Sequence, residues 1–528
     1  MFDIDYSRLT EQFLYMPDSP MIFSSGIFLF LFLGFTLIYN LLGKADTLRI
    51  LFVTLFSYYF YYKSSGLFFG LLALVTVSDY FIAKAIDRVG KGTLAKTLVF
   101  LSLLLDLGLL VFFKYNNFLG ETICTLLNNI GVLFNNIGVQ IPTSISGSQL
   151  ETVAWQPREI FLPVGISFFT FQSLSYTIDV YRGNIKPLNR LLDYAFYVSF
   201  FPQLVAGPIV RARDFIPQIR RPLMVTDKMF GTGVFFIIAG LFKKAVISDY
   251  ISVNFVERIF DQPDLYSGLE NLLAVYGYTL QIYCDFSGYS DMAIGIALLL
   301  GFEFPKNFDS PYKSASITEF WRRWHISLSS WLKDYLYISL GGNRHGKLRQ
   351  YFNLLMTMLL GGLWHGASFN FILWGGLHGI FLCIDKMWHS ICSALSPLTY
   401  LPSKHNPHPK KNWFVTFVGG IITFHLVVAC WVLFRASSFD VAEQVFHQIF
   451  YKFQPQIFMQ WCQSYTAVGS LMLVGYILHF MPQSISEKAK SFVTHCPLVI
   501  KALLIVILIF IVIQIKSSDV QPFIYFQF

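Results

Sequence analysis

Long apolar blocks, repeated along the whole chain, constrain this fold more than any other feature of the sequence. Blocks at 21–42 and 503–515 are examples, and 55% of the 528 residues are hydrophobic. Charged residues make up 13%, whereas soluble domains carry about 25%. A stretch of about 20 apolar residues can cross a bilayer as a helix. The sequence therefore predicts an all-α polytopic membrane protein.

The apolar segments predict about 11–12 transmembrane helices. They lie near 21–42, 48–62, 64–83, 95–113, 159–180, 230–248, 271–300, 351–364, 369–388, 413–434, 464–481 and 497–515. Segments 193–210 and 317–340 are broken or amphipathic, so we expect re-entrant or interfacial helices there. The stretch 115–140 predicts a short amphipathic helix on the outer surface. The polar stretch 141–157 predicts a loop.

The charged loops predict the orientation of the bundle. Loops 84–96, 211–228, 341–350 and 389–412 are basic, whereas loop 249–270 is acidic. Because Lys and Arg favour the cytoplasmic side, twelve crossings would place both termini outside. The formal net charge of +8 follows from these loops and gives no indication of a nucleic-acid partner.

Two histidines between 317 and 379 are the strongest candidates for chemistry. His325 lies in a charged, Trp-rich segment that, as one helix, would stack Trp321 over it. His365 lies among glycines in an apolar run, roughly 21 Å along a helix from the basic turn. The hydrocarbon core is about 30 Å thick, and ionisable groups at such depth mark functional sites. A neutral imidazole there can act as a general base.

Further polar residues predict a substrate site or tunnel. They are Arg322, Arg323, Asp285, Asp291, Tyr283, Asn307, Asn343 and Trp364. The two aspartates either tie helices together or line an aqueous path. The two arginines either reach the lipid headgroups or contact a phosphorylated donor. The asparagines, Tyr283 and Tyr335 can position the substrate or donate to an oxyanion.

Metal and disulfide sites are not predicted. The seven cysteines are scattered without a CxxC pair, a pattern that is typical of single buried thiols. The two histidines have no obvious third ligand nearby in the sequence, and a zinc site needs at least three protein ligands.

Several long motifs together resemble one protein family. FWRRWHISLSSWLKDYLYISLGGNR contains His325, and LLGGLWHGASFNFILWGGLHG contains His365. LPVGISFFTFQSLSYTIDVYRG, SFFPQLVAGPIVRARDFIPQ and YCDFSGYSDMAIGIALLLGFEFPKNFDSPY accompany them. They resemble the membrane-bound O-acyltransferases, in particular the bacterial alginate O-acetylation branch, and the resemblance is strong over 160–380.

This resemblance implies a ring of helices around a central tunnel that opens to both faces. It implies that His365 is the catalytic histidine and His325 the second active-site residue. It also implies a single integral membrane domain over 1–528, with a catalytic core at 160–380 and C-terminal helices at 413–528. The implied location is the bacterial inner membrane.

The implied activity is acetyl transfer to an exported or cell-wall polysaccharide. Acetyl-CoA would be the cytoplasmic donor, and no bound cofactor is expected. A periplasmic acyltransferase is the expected partner, beside membrane lipid and the polysaccharide. Three alternatives stay open: D-alanyl transfer to teichoic acid, a non-catalytic transporter of glycan or acyl groups, and a scaffold for the periplasmic enzyme. The sequence also leaves open whether a histidine acts as a base or carries the acyl group.

Overall fold

The computed structural model describes residues 11–17, 20–43, 45–136, 155–222, 224–395 and 413–515. Helices joined by short turns make up this structure, and the described ranges contain no β-strand. The all-α class predicted from the apolar blocks is therefore confirmed. The loop predicted at 141–157 lies almost entirely outside the described residues.

The helices follow one another with few long connections. In chain order they are α1 Gly26–Leu41, α2 Asp46–Ser65, α3 Phe69–Val89, α4 Thr93–Leu110, α5 Asn116–Asn136, α6 Ile166–Arg182, α7 Leu191–Ser199, α8 Ala212–Ile219, α9 Asp227–Leu241, α10 Gly268–Leu299, α11 Ile317–Arg323, α12 Ile326–Trp331, α13 Gly346–His365, α14 Phe369–Leu395, α15 Trp413–Arg435, α16 Phe439–Tyr451, α17 Phe458–Ser464, α18 Thr466–Phe480, α19 Gln483–His495 and α20 Leu498–Ile515.

Four stretches in the described part are long and apolar enough to cross a membrane: Asp46–Val89, Thr93–Ile130, Asp227–Asp261 and Trp413–Arg435. Helices α18 and α19, bent by 97° at their junction, form a fifth, broken candidate. Other segments of the predicted twelve form helices that are shorter or carry more charge. Among these, α10 is buried along most of its length, and a helix surrounded by protein can carry polar groups.

The helix predicted at 115–140 is present over Asn116–Asn136, but it is not a separate element. Helix α5 continues α4 through a π-helical turn at Val111–Tyr115, and Thr93–Ile130 forms one apolar rod. The sequence at this junction contains neither proline nor glycine, so nothing in it ends the helix. The π turn is the local irregularity, and such turns are frequent at functional sites.

Glycines bring the central helices unusually close together. A Cβ added to Gly240 of α9 would lie 2.5 Å from the Gly288 carbonyl oxygen of α10. A Cβ added to Gly362 of α13 would lie 2.2 Å from the Phe371 carbonyl oxygen of α14. Small residues at such contacts let helix backbones pack tightly in membranes. This packing fixes the hairpin of α13 and α14, which carries His365.

The segment 193–210 is broken, as predicted. Helix α7 ends at Ser199, a single turn covers Phe201–Leu204, and extended chain leads to α8. Gly165, just before α6, has a φ of +75° and packs against this turn. A Cβ there would lie 2.7 Å from the Leu204 carbonyl oxygen.

The segment 317–340 is broken as well, and the expected single helix through His325 is wrong. Helix α11 ends at Arg323, and α12 begins at Ile326. In a continuous helix the Ile326 N–H would donate to the carbonyl four residues earlier, but it donates to the Asn307 carbonyl oxygen at 2.8 Å. Trp321 therefore does not stack over His325; its indole N–H donates to His378 Nδ1 at 3.3 Å.

Candidate active site

His325 occupies the break between α11 and α12 in a left-handed backbone conformation, with φ 41°. Ser310 is the one other described non-glycine residue with positive φ. The side chain of His325 is fully buried. Strained backbone of this kind persists where the surroundings enforce it, and it concentrates at functional sites.

Asn307 sets the tautomer of His325. Its Oδ1 accepts from the Ser327 backbone N–H at 3.2 Å and the Ser327 hydroxyl at 2.9 Å. A backbone N–H can only donate, so the atom facing it must be the amide oxygen. His325 Nδ1 lies 3.2 Å from the same oxygen and therefore carries the proton. Asn307 is itself held by a bond from its Nδ2 to the Ser290 hydroxyl at 3.0 Å.

The second ring nitrogen of His325 is left available. Nε2 is buried and has no hydrogen-bond partner among the described residues. With Nδ1 protonated, Nε2 holds the lone pair. Buried polar atoms are almost always paired, so an unpaired one suggests an absent ligand or a catalytic role. This arrangement can accept a proton or a hydrogen bond from a bound substrate.

The Trp364 ring is near both histidines. Its ring centroid is 6.5 Å from that of His325 and 4.9 Å from that of His365. Phe286 packs edge-on against His325 at 4.5 Å, and Phe168 contacts both His325 and Trp364. The structure thus brings three predicted site residues together inside an aromatic enclosure.

His365 is the last residue of α13 and is buried. Its ring contacts Trp374 of α14 at 5.1 Å and Phe434 of α15 at 5.2 Å. Residues from three helices therefore fix the imidazole. One of those helices, α15, lies in the C-terminal part of the chain, beyond the predicted core.

Lys114 and Tyr115 cap the C-terminal end of α13, the helix that ends in His365. The sequence did not lead us to predict either residue. Lys114 Nζ donates to the carbonyl oxygens of Trp364 at 2.9 Å and His365 at 2.7 Å. The Tyr115 hydroxyl donates to the Leu363 carbonyl oxygen at 2.7 Å. The last carbonyls of a helix lack partners within it, and a cation is favourable there. A lysine at the end of a predicted membrane span was the available signal.

A small cavity of about 40 Å³ lies beside this end of α13. Lys114, Gly165, Phe168 and Trp364 contribute to its lining. About 10–15 Å³ of such space is needed to hold a water molecule. The space therefore suits a water molecule or a small acyl group.

The predicted residues of α10 lie in a separate ionic network. Asp285 pairs with Lys244 at 2.6 Å, and Lys244 also pairs with Asp249 at 2.8 Å. Asp291 pairs with Lys243 at 2.6 Å. These five residues are called the lysine–aspartate network below. Tyr283 adjoins it, because the Lys243 ammonium lies 5.7 Å from the Tyr283 ring centroid.

The remaining predicted residues lie near the basic end of the bundle. Arg323 pairs with Glu319 at 2.8 Å, whereas Arg322 and Asn343 are exposed. The Tyr335 hydroxyl donates to Asp179 at 2.7 Å. The structure does not bring these four residues into the aromatic enclosure of His325.

Two arginine guanidinium groups lie over the ring of Tyr335. The guanidinium groups of Arg182 and Arg211 lie 5.3 and 5.4 Å from the ring centroid, and Arg211 also pairs with Asp334. Arg211 is buried, whereas Arg182 is exposed, and such cation–ring contacts are stronger where the cation is desolvated. Within the described ranges, no three metal-ligating side chains converge on one point.

Comparison with known proteins connects this geometry to a chemistry. Residues 110–429 match the model of the membrane-bound O-acyltransferase family. A probable alginate O-acetylase of Pseudomonas putida is 36% identical over 96% of this chain and 100% of its own length. A peptidoglycan O-acetyltransferase of Helicobacter pylori is 34% identical over 80% of this chain and 79% of its own. A teichoic acid D-alanyltransferase of Bacillus subtilis is 29% identical over 54% of this chain and 71% of its own length.

Proposed function

This chain belongs to the membrane-bound O-acyltransferase family, and on that premise we propose that it moves acetyl groups across the bacterial inner membrane for O-acetylation of an exported or cell-wall polysaccharide. The chain is a multi-pass membrane acyltransferase. The family resemblance of its motifs is confirmed. The observation that carries the proposal is the pair of buried histidines that both adjoin Trp364, one of them with an available Nε2.

The proposed reaction is attack of an acceptor hydroxyl on the thioester of acetyl-CoA. As the O–C bond forms, the hydroxyl proton passes to His365 and the C–S bond breaks. The thiolate that leaves then takes that proton. General-base catalysis of this kind contributes typically 10²–10⁴-fold to the rate. The available Nε2 of His325 accepts a hydrogen bond from the bound substrate.

The aromatic enclosure supports this assignment because it excludes water from the two imidazoles. Electrostatic interactions are stronger in such a dry site, and competing hydrolysis of the thioester is suppressed. The small cavity beside Trp364 has room for an acetyl group. The donor's nucleotide part would stay outside it, on the side of the basic loops 211–228 and 341–350.

We further propose that the chain acts as one domain over 1–528. The predicted core 160–380 supplies both histidines, but Lys114 and Phe434 complete their surroundings from outside it. The cytoplasmic donor side, both termini outside and a periplasmic acyltransferase partner belong to the same proposal. The positive-inside distribution of the loops supports the orientation.

The test is transfer from labelled acetyl-CoA by the purified protein in nanodiscs, with its periplasmic partner and glycan present. We expect label on the glycan with the wild type and none with His365→Ala. His495→Ala, a change at an exposed position on α19, should behave like the wild type. Absence of transfer by the wild type, while glycan still crosses the membrane, would instead support a transporter. Equal transfer by His365→Ala would support a scaffold.

The same assay separates the donor chemistries. A D-alanyl thioester on a carrier protein should give no labelled product, because the relatives of higher identity and coverage bear the name of acetylases. Transfer from that donor, and none from acetyl-CoA, would move the assignment to the D-alanyl branch.

A further inference from the structure

A stack of aromatic rings joins the basic end of the bundle to the two histidines. We propose that the acyl donor binds along this stack, with its phosphates at Arg182 and its thioester at the histidines. This site rests on the function proposed above, and it names the residues that hold the donor. The four rings are called the aromatic column below, and they belong to Phe171, Trp331, Tyr335 and Trp364.

Each ring of the aromatic column contacts the next. The ring centroids of Tyr335 and Trp331 are 5.1 Å apart, and Trp331 stacks parallel to Phe171 at 3.8 Å. Phe171 in turn stacks on Trp364 at 5.3 Å. Trp364 adjoins the two histidines. The column therefore runs from Tyr335 to the histidine pair without a gap.

Helix α6 holds the column in place. The Trp331 indole N–H donates to the Phe171 carbonyl oxygen at 3.0 Å, and the Tyr335 hydroxyl donates to Asp179 at 2.7 Å. Because these polar groups are bonded to α6, the rest of the column is an apolar wall. Its four residues are each 5–8% exposed, so each retains a strip of surface that a ligand can contact. Such a wall suits the uncharged arm of an acyl thioester.

Arg182, the last residue of α6, lies over the far end of the column. Its guanidinium is 5.3 Å from the Tyr335 ring centroid. It donates to the Asp334 carbonyl oxygen at 3.1 Å and to the Ser339 hydroxyl at 2.9 Å. These bonds orient the guanidinium but use only two of the five N–H donors of an arginine. Both acceptors are neutral, so they do not balance its charge.

The surroundings of Arg182 carry more positive than negative charge. Asp334 pairs with Arg211 and lies 3.7 Å from the Lys333 ammonium, so two cations share this carboxylate. With Arg182 and the buried Asp179 included, three cations face two carboxylates. Arg182 is exposed, and a ligand can therefore reach it. A phosphate suits this excess of positive charge, because the planar fork of arginine matches phosphate oxygens.

The distance between the two ends of the column selects the class of donor. Phe168 of α6 contacts His325, and Arg182 ends the same helix about 21 Å further along. A phosphate at Arg182 is therefore far from the histidines. Acetyl-CoA suits this spacing, because a long uncharged arm separates its phosphates from its thioester. A simple acyl phosphate does not, because its reacting carbon adjoins the phosphate.

The test measures CoA binding by calorimetry and acetyl transfer by the full chain in nanodiscs. Arg182→Gln removes the charge but keeps a hydrogen-bonding group, so Kd for CoA and KM for acetyl-CoA should each rise roughly tenfold. S-acetyl-pantetheine carries the thioester without the phosphates, and its KM should not change in this variant. Tyr335→Leu removes a ring of the column and should weaken both donors roughly two- to tenfold. Tyr335→Phe should recover most of that loss.

Two controls accompany these variants. Arg88→Gln changes an exposed arginine of the basic loop 84–96 and should match the wild type in both measurements. His365→Ala should lose transfer but keep its affinity for CoA. CoA binding that is weakened by Arg182→Gln, without any transfer by the wild type, would support this site and contradict the function proposed above. No CoA binding by the wild type, an unchanged Kd in Arg182→Gln, or an equal rise in KM for both donors would overturn the site.

Discussion

The histidine centre, which comprises His325, His365, Trp364 and Asn307, and the lysine–aspartate network are both polar clusters inside an apolar bundle. They are nevertheless built in opposite ways. In the network, each lysine pairs with an aspartate at 2.6 Å. In the histidine centre, one nitrogen of His325 is fixed by Asn307 and the other is left available. Each aspartate of the network lies 2.6–2.8 Å from a lysine ammonium.

The difference teaches how structural and chemical polar groups can be separated. A buried charge that has lost its partner is strongly destabilising, so the network's charges are tied to one another. A group that acts as a general acid or base must instead keep one lone pair or one proton available to the substrate. Five predictions test this comparison, and they run from the largest expected effect on turnover to the smallest.

Removing either histidine should have the largest effect. His365→Ala and His325→Ala are each expected to lower acetyl transfer by about 10²–10⁴-fold, the usual contribution of general acid–base catalysis. The measurement is label transferred per mole of inserted protein. A variant that kept more than a tenth of the activity would break the comparison, because the available nitrogen would then have no function.

Asn307→Ala should come next. Without the Oδ1 acceptor, the His325 ring loses both its tautomer preference and its orientation, and small misplacements can cost about 10²-fold. We expect kcat to fall by roughly 10- to 100-fold, with KM for acetyl-CoA little changed. Asn307→Asp keeps an acceptor oxygen and should recover much of kcat. Equal loss in both variants would argue against a positioning role.

Lys114→Met should reduce turnover less. The Trp364 and His365 carbonyls would lose their donor, and a favourable cation at a helix C-terminus contributes about 0.3–2 kcal/mol. A fall in kcat and in thermal stability together is expected, with partial recovery in Lys114→Arg. An unchanged kcat in Lys114→Met would show that the end of α13 holds its position without this cap.

Changes in the lysine–aspartate network should affect stability rather than chemistry. Lys244→Met leaves two aspartates without their cation and should destabilise the fold by about 3–5 kcal/mol. The double variant Lys243→Met with Asp291→Leu removes a whole pair and should be close to neutral. Thermal unfolding in nanodiscs measures both. Loss of turnover in a fully folded double variant would place the network in the substrate path.

Arg322→Ala should have the smallest effect. This side chain is exposed, and interactions of exposed charges are worth about 0–1 kcal/mol. We expect KM for acetyl-CoA to rise by less than about fivefold, with kcat unchanged. A much larger rise in KM would support contact between Arg322 and a phosphorylated donor.

The sequence predicted the members of the histidine centre better than their local structure. The structure brings His325, His365, Trp364 and Asn307 together. The sequence could identify them because each is a polar or aromatic group in an unusual context. The helix expected through His325 was wrong, since its break depends on Asn307, 18 residues earlier. Local spacing carries no information on such a distant hydrogen bond.

The acids of α10 show the same limit. Asp285 and Asp291 stood out as charges in an apolar run, and the sequence left two interpretations open. Their partners Lys243 and Lys244 lie more than 40 residues earlier, in a π-helical turn. Pairing across that separation depends on how α9 and α10 pack. The roles predicted for Arg322, Arg323 and Asn343 stay predictions.

The bond from Lys114 to the end of α13 also has a consequence for how the protein is made. The two partners, Lys114 and Trp364, are 250 positions apart. Since domains are synthesised from the N-terminus, α4 and the following π turn with Lys114 enter the membrane long before the helix that ends in His365. The lysine that caps α13 is thus inserted first, and the end of α13 that carries His365 is completed only when that helix is made.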